Sequence, residues 1–140
     1  MNRRDFISLS AAVTLAPALP AMAGMASFVE YQPGLVTEML ANGDTVFLDF
    51  SATWCSTCAA QARVIDGLKA ENPAYETAIT FVNVDWDNYG AGELSRSLNI
   101  PRRSTLVVLK GDKELGRIVA GTSKGAIKDL MDIALGAATA

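Results

Sequence analysis

From Val46 to Cys58 the sequence reads VFLDFSATWCSTC. The unbroken apolar run Val46-Phe47-Leu48, within a strand expected over Thr45 to Phe50, is the pattern of a strand covered on both faces. At Cys55 the spacing changes to helical, with Cys58, Ala62, Ile65 and Leu68 on one face as far as about Ala70, where Asn72-Pro73 ends it. The chain's two cysteines therefore sit where a strong strand passes into a helix. In open α/β sheets, reactive groups gather at such carboxyl strand ends.

Working outward, a short Phe28-Val29 segment precedes a helix over Gly34 to Ala41, which stops at Asn42-Gly43. Downstream, Ile79 to Asp85 reads as a strand, Gly92 to Leu98 as a short helix and Thr105 to Lys110 as a second covered strand. Gly111-Asp112 supplies a turn, and Glu114 to Ala120 returns antiparallel. A last helix, capped by Thr122 or Ser123, puts Ile127, Leu130, Met131 and Ala134 on one stripe. Strands alternating with helices require parallel pairing, and the closing hairpin adds an antiparallel edge. The expectation is one three-layer α/β domain over 27–136, with a mixed sheet of about four to five strands and a frayed Ala-rich tail over 137–140.

Of the 140 residues, half are apolar and 19% charged, which suits a packed domain. The net charge of −3 and the lack of a long basic run argue against nucleic acid as a partner. There is no histidine, which removes Ser-His-Asp and Cys-His nucleophiles and zinc sites of Cys/His type.

Three uses of Cys55-Ser-Thr-Cys58 compete. A zinc half-site lacks two further Cys or His ligands. A staple closing so short a loop contributes only about 2 kcal/mol, across residues the helix already ties together. Redox exchange fits best. Cys55, at the first turn, faces unsatisfied backbone N–H groups and the positive end of the helix dipole, which favour a thiolate. It is the expected exposed attacker, and Cys58, one turn on and facing the core, the shielded resolver.

With strand, Trp-Cys-x-x-Cys and helix in view, the chain resembles the thioredoxin family over nearly all of Phe28 to Leu135. The runs ITFVNVD (79–85), STLVVLKGDKELGRIVAG (104–121) and SKGAIKDLMDIAL (123–135) follow its order of elements. The resemblance implies a thioredoxin-like fold and a thiol–disulfide oxidoreductase acting on protein thiols and disulfides, with no cofactor and no metal. Its buried acid falls on Asp49, which would take a proton from Cys58. Its packing aromatic falls on Trp54. It implies substrate contacts at Trp54, Arg103, Ser104 and Thr105, the last three in or next to the loop that pairs with an extended partner segment.

That loop departs from the family. Aligned without gaps, Ser104 stands where the family has a cis-proline; with a gap, Pro101 could take the role. A cis bond before a non-proline residue costs about 3–4 kcal/mol, so a trans Ser104 and a reshaped loop are expected. Loss of the ring should also open space over the sulfurs. The family resemblance suggests that such a gap admits a second reading, a metal or iron–sulfur cluster held by two cysteines from each of two chains. Arg102 and Arg103 would flank the face, either lowering the Cys55 pKa or lying as a solvated pair. Without a histidine between the cysteines, the couple tilts toward a reductant or isomerase.

The first 23 residues read as an export leader: Arg3-Arg4 and Asp5-Phe6-Ile7, a mildly apolar middle, then Ala21-Met22-Ala23 with cleavage after Ala23. The Arg pair resembles the twin-arginine class, which carries folded proteins, although a Sec-type leader with adjacent arginines would read similarly. Both lead to the bacterial periplasm. A reductant there needs recharging, and the resemblance implies a membrane electron donor of the cytochrome c biogenesis type.

Overall fold

The computed structural model describes residues 28–140. The export leader expected over 1–23 lies outside the described residues. Five strands, β1 (Val29–Glu30), β2 (Thr45–Ser51), β3 (Thr80–Asp85), β4 (Thr105–Lys110) and β5 (Lys113–Val119), form one sheet in the order β1-β3-β2-β4-β5. β1 and β2 each run parallel to β3, while β4 runs antiparallel to both β2 and β5. The helices are α1 (Leu35–Ala41), α2 (Ser56–Glu71), α3 (Ala74–Ala78), α4 (Trp86–Tyr89), α5 (Glu93–Ser97) and α6 (Lys124–Thr139).

β2 lies at the centre, and its pleat divides the apolar run between two cores. Phe47 packs with Ile65 and Leu68 of α2 and Ile127 and Met131 of α6. Val46, Leu48 and Phe50 pack on the other side with Val36, Val82 and Ile100. Burying one such side chain stabilises the fold by about 1.5–3 kcal/mol, so the strand's position is set from both faces. Asp49, two residues after Phe47, shares the Phe47 face.

Three local features differ from expectation. After Asn72 the chain starts another turn of helix, α3, whose Tyr75 is buried and donates its hydroxyl to Asp132 of α6. β3 runs directly into α4, because the Asp85 carboxylate accepts from the backbone N–H of Asp87 at 3.1 Å and caps it. The Ala-rich tail continues α6 to Thr139 instead of fraying. Alanine favours helix, and no proline interrupts the run. Ser123 caps that helix, accepting from the Ala126 N–H at 3.4 Å. Gly116 of β5 lies under α6, where an added Cβ would stand 2.9 Å from Leu130 Cδ1 and turn that methyl aside.

Candidate active site

Cys55 is the residue just before α2, in extended backbone, and its Sγ accepts the Cys58 N–H at 3.2 Å. A sulfur in that place takes the role usually filled by Ser or Asp at a helix start. Cys55 and Cys58 are joined as a disulfide, their Cα atoms 5.3 Å apart. The sequence led us to expect an exposed attacker and a covered resolver. Instead, Cys55 is 4% exposed and Cys58 3%, because Ala52, Trp86 and Ser104 close over both. In the disulfide form the two sulfurs differ in their relation to the helix, and not in exposure.

Asp49 is 3% exposed, and its Oδ1 has no hydrogen-bond partner. Burial, and then the negative charge of Asp66, pushes its carboxyl up to about 7. A cavity of about 330 Å³ connects it with the sulfurs, lined among others by Asp49, Cys55, Cys58, Glu30, Ser51 and Asn83. On its rim Ser51 donates to Asn83 Oδ1, and Asn83 Nδ2 donates to the Glu30 carboxylate at 3.1 and 3.2 Å. A proton-accepting carboxylate thus lines the same open pocket as the cysteine pair.

No peptide bond among the described residues is cis. Ser104, and not the exposed Pro101, stands at the sulfurs. It reaches them with a left-handed backbone, φ 62°, a conformation costing a residue with a Cβ about 1–2 kcal/mol. Hydrogen bonds hold it there: its N–H donates to the Phe50 carbonyl at 2.7 Å, and its carbonyl accepts from Ala120 N–H at 2.8 Å and Gln61 Nε2 at 3.0 Å. The space that loss of the proline ring was expected to open is filled by the Ser104 side chain, with Oγ 3.1 Å from Cys55 Sγ and 3.0 Å from Cys58 Sγ. A cluster shared between two chains would need both sulfurs turned outward, and this covered arrangement does not fit it.

Trp54 is 59% exposed beside the disulfide. Its Nε1 is shared between the two carboxylate oxygens of Asp87, both at 3.1 Å, and the Arg103 guanidinium lies 4.4 Å from its ring centroid. These three side chains form an outward-facing platform. Thr105 turns the other way: it is buried at the start of β4, its hydroxyl on the Arg102 carbonyl at 2.7 Å, and it presents no side chain to a partner. Arg102 is spent locally, its Nε donating to the Arg103 carbonyl.

Sequence reasoning missed two residues. Gln61 lies on the apolar stripe of α2, fully buried, and its Nε2 also donates to the Gly121 carbonyl at 2.9 Å. Its signal was present: the only polar side chain in the series Cys58, Gln61, Ile65, Leu68 needs a partner. Asp87 gave no such signal, since its role depends on α4 bringing it to Trp54.

A disulfide at the start of the helix that leaves the central strand, with a buried carboxyl on that strand, defines a thiol–disulfide oxidoreductase. The chain belongs to the thioredoxin family, whose family model, described as Thioredoxin, matches residues 30–133. It is 30% identical over 98 residues to a thioredoxin of Mycobacterium tuberculosis, covering 69% of this chain and 80% of that one. It is 34% identical over 90 residues to thioredoxin-2 of Saccharomyces cerevisiae, covering 64% and 80%. Among solved structures, Trxlp of Edwardsiella tarda superposes with a TM-score of 0.66 at 28% identity, covering 75% of this chain and 98% of that one.

Proposed function

We propose that this chain is an exported, periplasmic thiol–disulfide oxidoreductase that reduces or isomerises disulfides of other proteins. The observation that carries the reading is Asp49, a buried carboxyl held near neutral pH in the cavity that also reaches Cys55 and Cys58. In the dithiol form the Cys55 thiolate attacks one sulfur of a partner disulfide, whose bond breaks and releases a partner thiolate. The Asp49 carboxylate then takes the Cys58 proton, and the Cys58 thiolate attacks Cys55 Sγ. The mixed disulfide breaks, and the partner leaves with both electrons. Trp54 and Arg103 form the face that meets the partner, while Ser104 lies buried beneath it with its backbone N–H and carbonyl paired within the chain.

Direction follows from the residues between the sulfurs. Ser56 and Thr57 supply no imidazolium to hold the reduced form, which favours a reductant or isomerase over a strong oxidant. Electrons must then come from a donor, for which a membrane carrier of the cytochrome c biogenesis type suits the compartment. Supply by a dedicated donor has a parallel in the Mycobacterium leprae bifunctional thioredoxin reductase/thioredoxin, 28% identical over 97 residues, of which this chain spans 20%.

The test is a glutathione-buffered titration of the purified chain. We expect a potential close to the thioredoxin value of about −270 mV; one near the DsbA value of about −120 mV would overturn the reductant assignment.

A further inference from the structure

One hydroxyl stands between the two sulfurs. Ser104 Oγ is within 3.1 Å of each, fully buried, on a backbone pinned at its N–H by Phe50 and at its carbonyl by Ala120 and Gln61. A hydroxyl has one proton to donate and two lone pairs to accept with, and it can turn about its own Cβ–Oγ bond. Hydrogen bonds to a charged sulfur are the strong kind.

We propose that Ser104 is a catalytic residue of the exchange reaction, its hydroxyl donating to whichever sulfur carries the negative charge at each stage. In the dithiol form it donates to the Cys55 thiolate, beside the Cys58 N–H already aimed at that sulfur, and accepts from the Cys58 thiol. Attack makes Cys55 Sγ neutral as a partner S–S bond breaks, which frees the hydroxyl. Once Asp49 has taken the Cys58 proton, the hydroxyl turns to the Cys58 thiolate. That thiolate bonds to Cys55 Sγ and expels the second partner thiolate. Ser104 keeps its own proton throughout, so two electrons pass to the partner and the serine is unchanged. This role rests on Cys55 and Cys58 being the exchanging couple. A proline ring, which the family resemblance places here, has no proton to offer.

The surroundings make such a donor matter. The cavity brings two acids, Glu30 from β1 and Asp49 from β2, to the same space as the sulfurs, and both oppose a thiolate when ionised. Asp87 of α4 is bound to Trp54, and the Arg103 guanidinium lies over the Trp54 ring. Ser104 Oγ and the Cys58 N–H are the donors that reach Cys55 Sγ among the described residues.

The experiment is the pH dependence of Cys55 alkylation by iodoacetamide in the reduced full chain, for the parent, Ser104→Ala and Ser104→Gly. Both substitutions remove the hydroxyl, and glycine also relaxes the left-handed backbone. Both are expected to raise the Cys55 titration midpoint by about one pH unit, a tenfold loss of thiolate below it. The potential should fall by up to about 30 mV, the equivalent of one factor of ten for a two-electron couple. Midpoints unchanged in both variants would overturn the role. So would a shift in Ser104→Ala that Ser104→Gly restores, since that would trace the effect to the backbone. A parent Cys55 that titrates as an ordinary thiol would remove the exchange mechanism itself, and the serine's role with it.

Discussion

At the residue scale, Asp49 sets stability and turnover against each other. Its carboxyl is held at about 7 in the folded chain against an ordinary 3.8, so between those values the native state binds a proton that the unfolded chain has lost. Stability contributed by this group therefore falls as pH rises from about 4 to 7, and above 7 the charged form costs the fold up to about 4 kcal/mol. Asp49→Asn should remove that loss. Urea unfolding of the variant is expected to show higher stability than the parent at pH 8 and little difference at pH 4, while release of partner from the mixed disulfide slows by about 10²-fold or more. A parent whose stability rises through the same pH range would contradict the assignment.

Among the elements, α2 does more than carry the cysteines. Gln61 reaches from its buried face to two carbonyls, of Ser104 and of Gly121, and so ties the helix to the chain at both ends of the β4–β5 hairpin. Gln61→Met keeps the volume and removes the donor. The Gly121 carbonyl loses this partner, while the Ser104 carbonyl keeps Ala120. Losing both bonds, of which the one to Gly121 is part-buried, costs about 1–3 kcal/mol, offset in part because the unpartnered Oε1 goes with them. Equilibrium denaturation should show a loss within that range, and an unchanged midpoint would mean the loop holds its shape without the glutamine. Legibility at this scale divides along the same line. Strand β2, helix α2 and the β4–β5 hairpin were readable because apolar spacing records burial directly. α3 and α4 were not, since one turn of helix leaves no period; the first depends on Tyr75 meeting α6, the second on the cap at Asp85. The covering of Cys55 and the filling of the gap by Ser104 escaped for a related reason: a left-handed turn at a serine is dictated by its hydrogen bonds to Phe50, Ala120 and Gln61, which lie far apart in sequence.

For the whole molecule, the proposed periplasmic location depends on the leader read over residues 1–23. Every strand, helix and core cluster described lies at or beyond Phe28, and cleavage after Ala23 would leave only Gly24 to Ser27 ahead of it. The two cores are packed from residues of the described domain, so a chain exported after folding would carry them already assembled. A twin-arginine route accepts that folded cargo and depends on both arginines, whereas a Sec-type route needs an unfolded chain and only positive charge. Replacing Arg3 and Arg4 by lysine keeps the charge and removes the guanidinium pair. Expressed in a bacterium with both routes, the parent is expected in the periplasmic fraction as a shortened chain. The double variant should remain in the cytoplasm at full length, a loss of periplasmic protein of about tenfold or more. Normal export of the lysine variant would assign the leader to the Sec class while leaving the destination intact. Retention of the parent itself in the cytoplasm would overturn the periplasmic assignment. With it would go the need for a membrane electron donor, since in a reducing compartment soluble donors could recharge the Cys55–Cys58 couple.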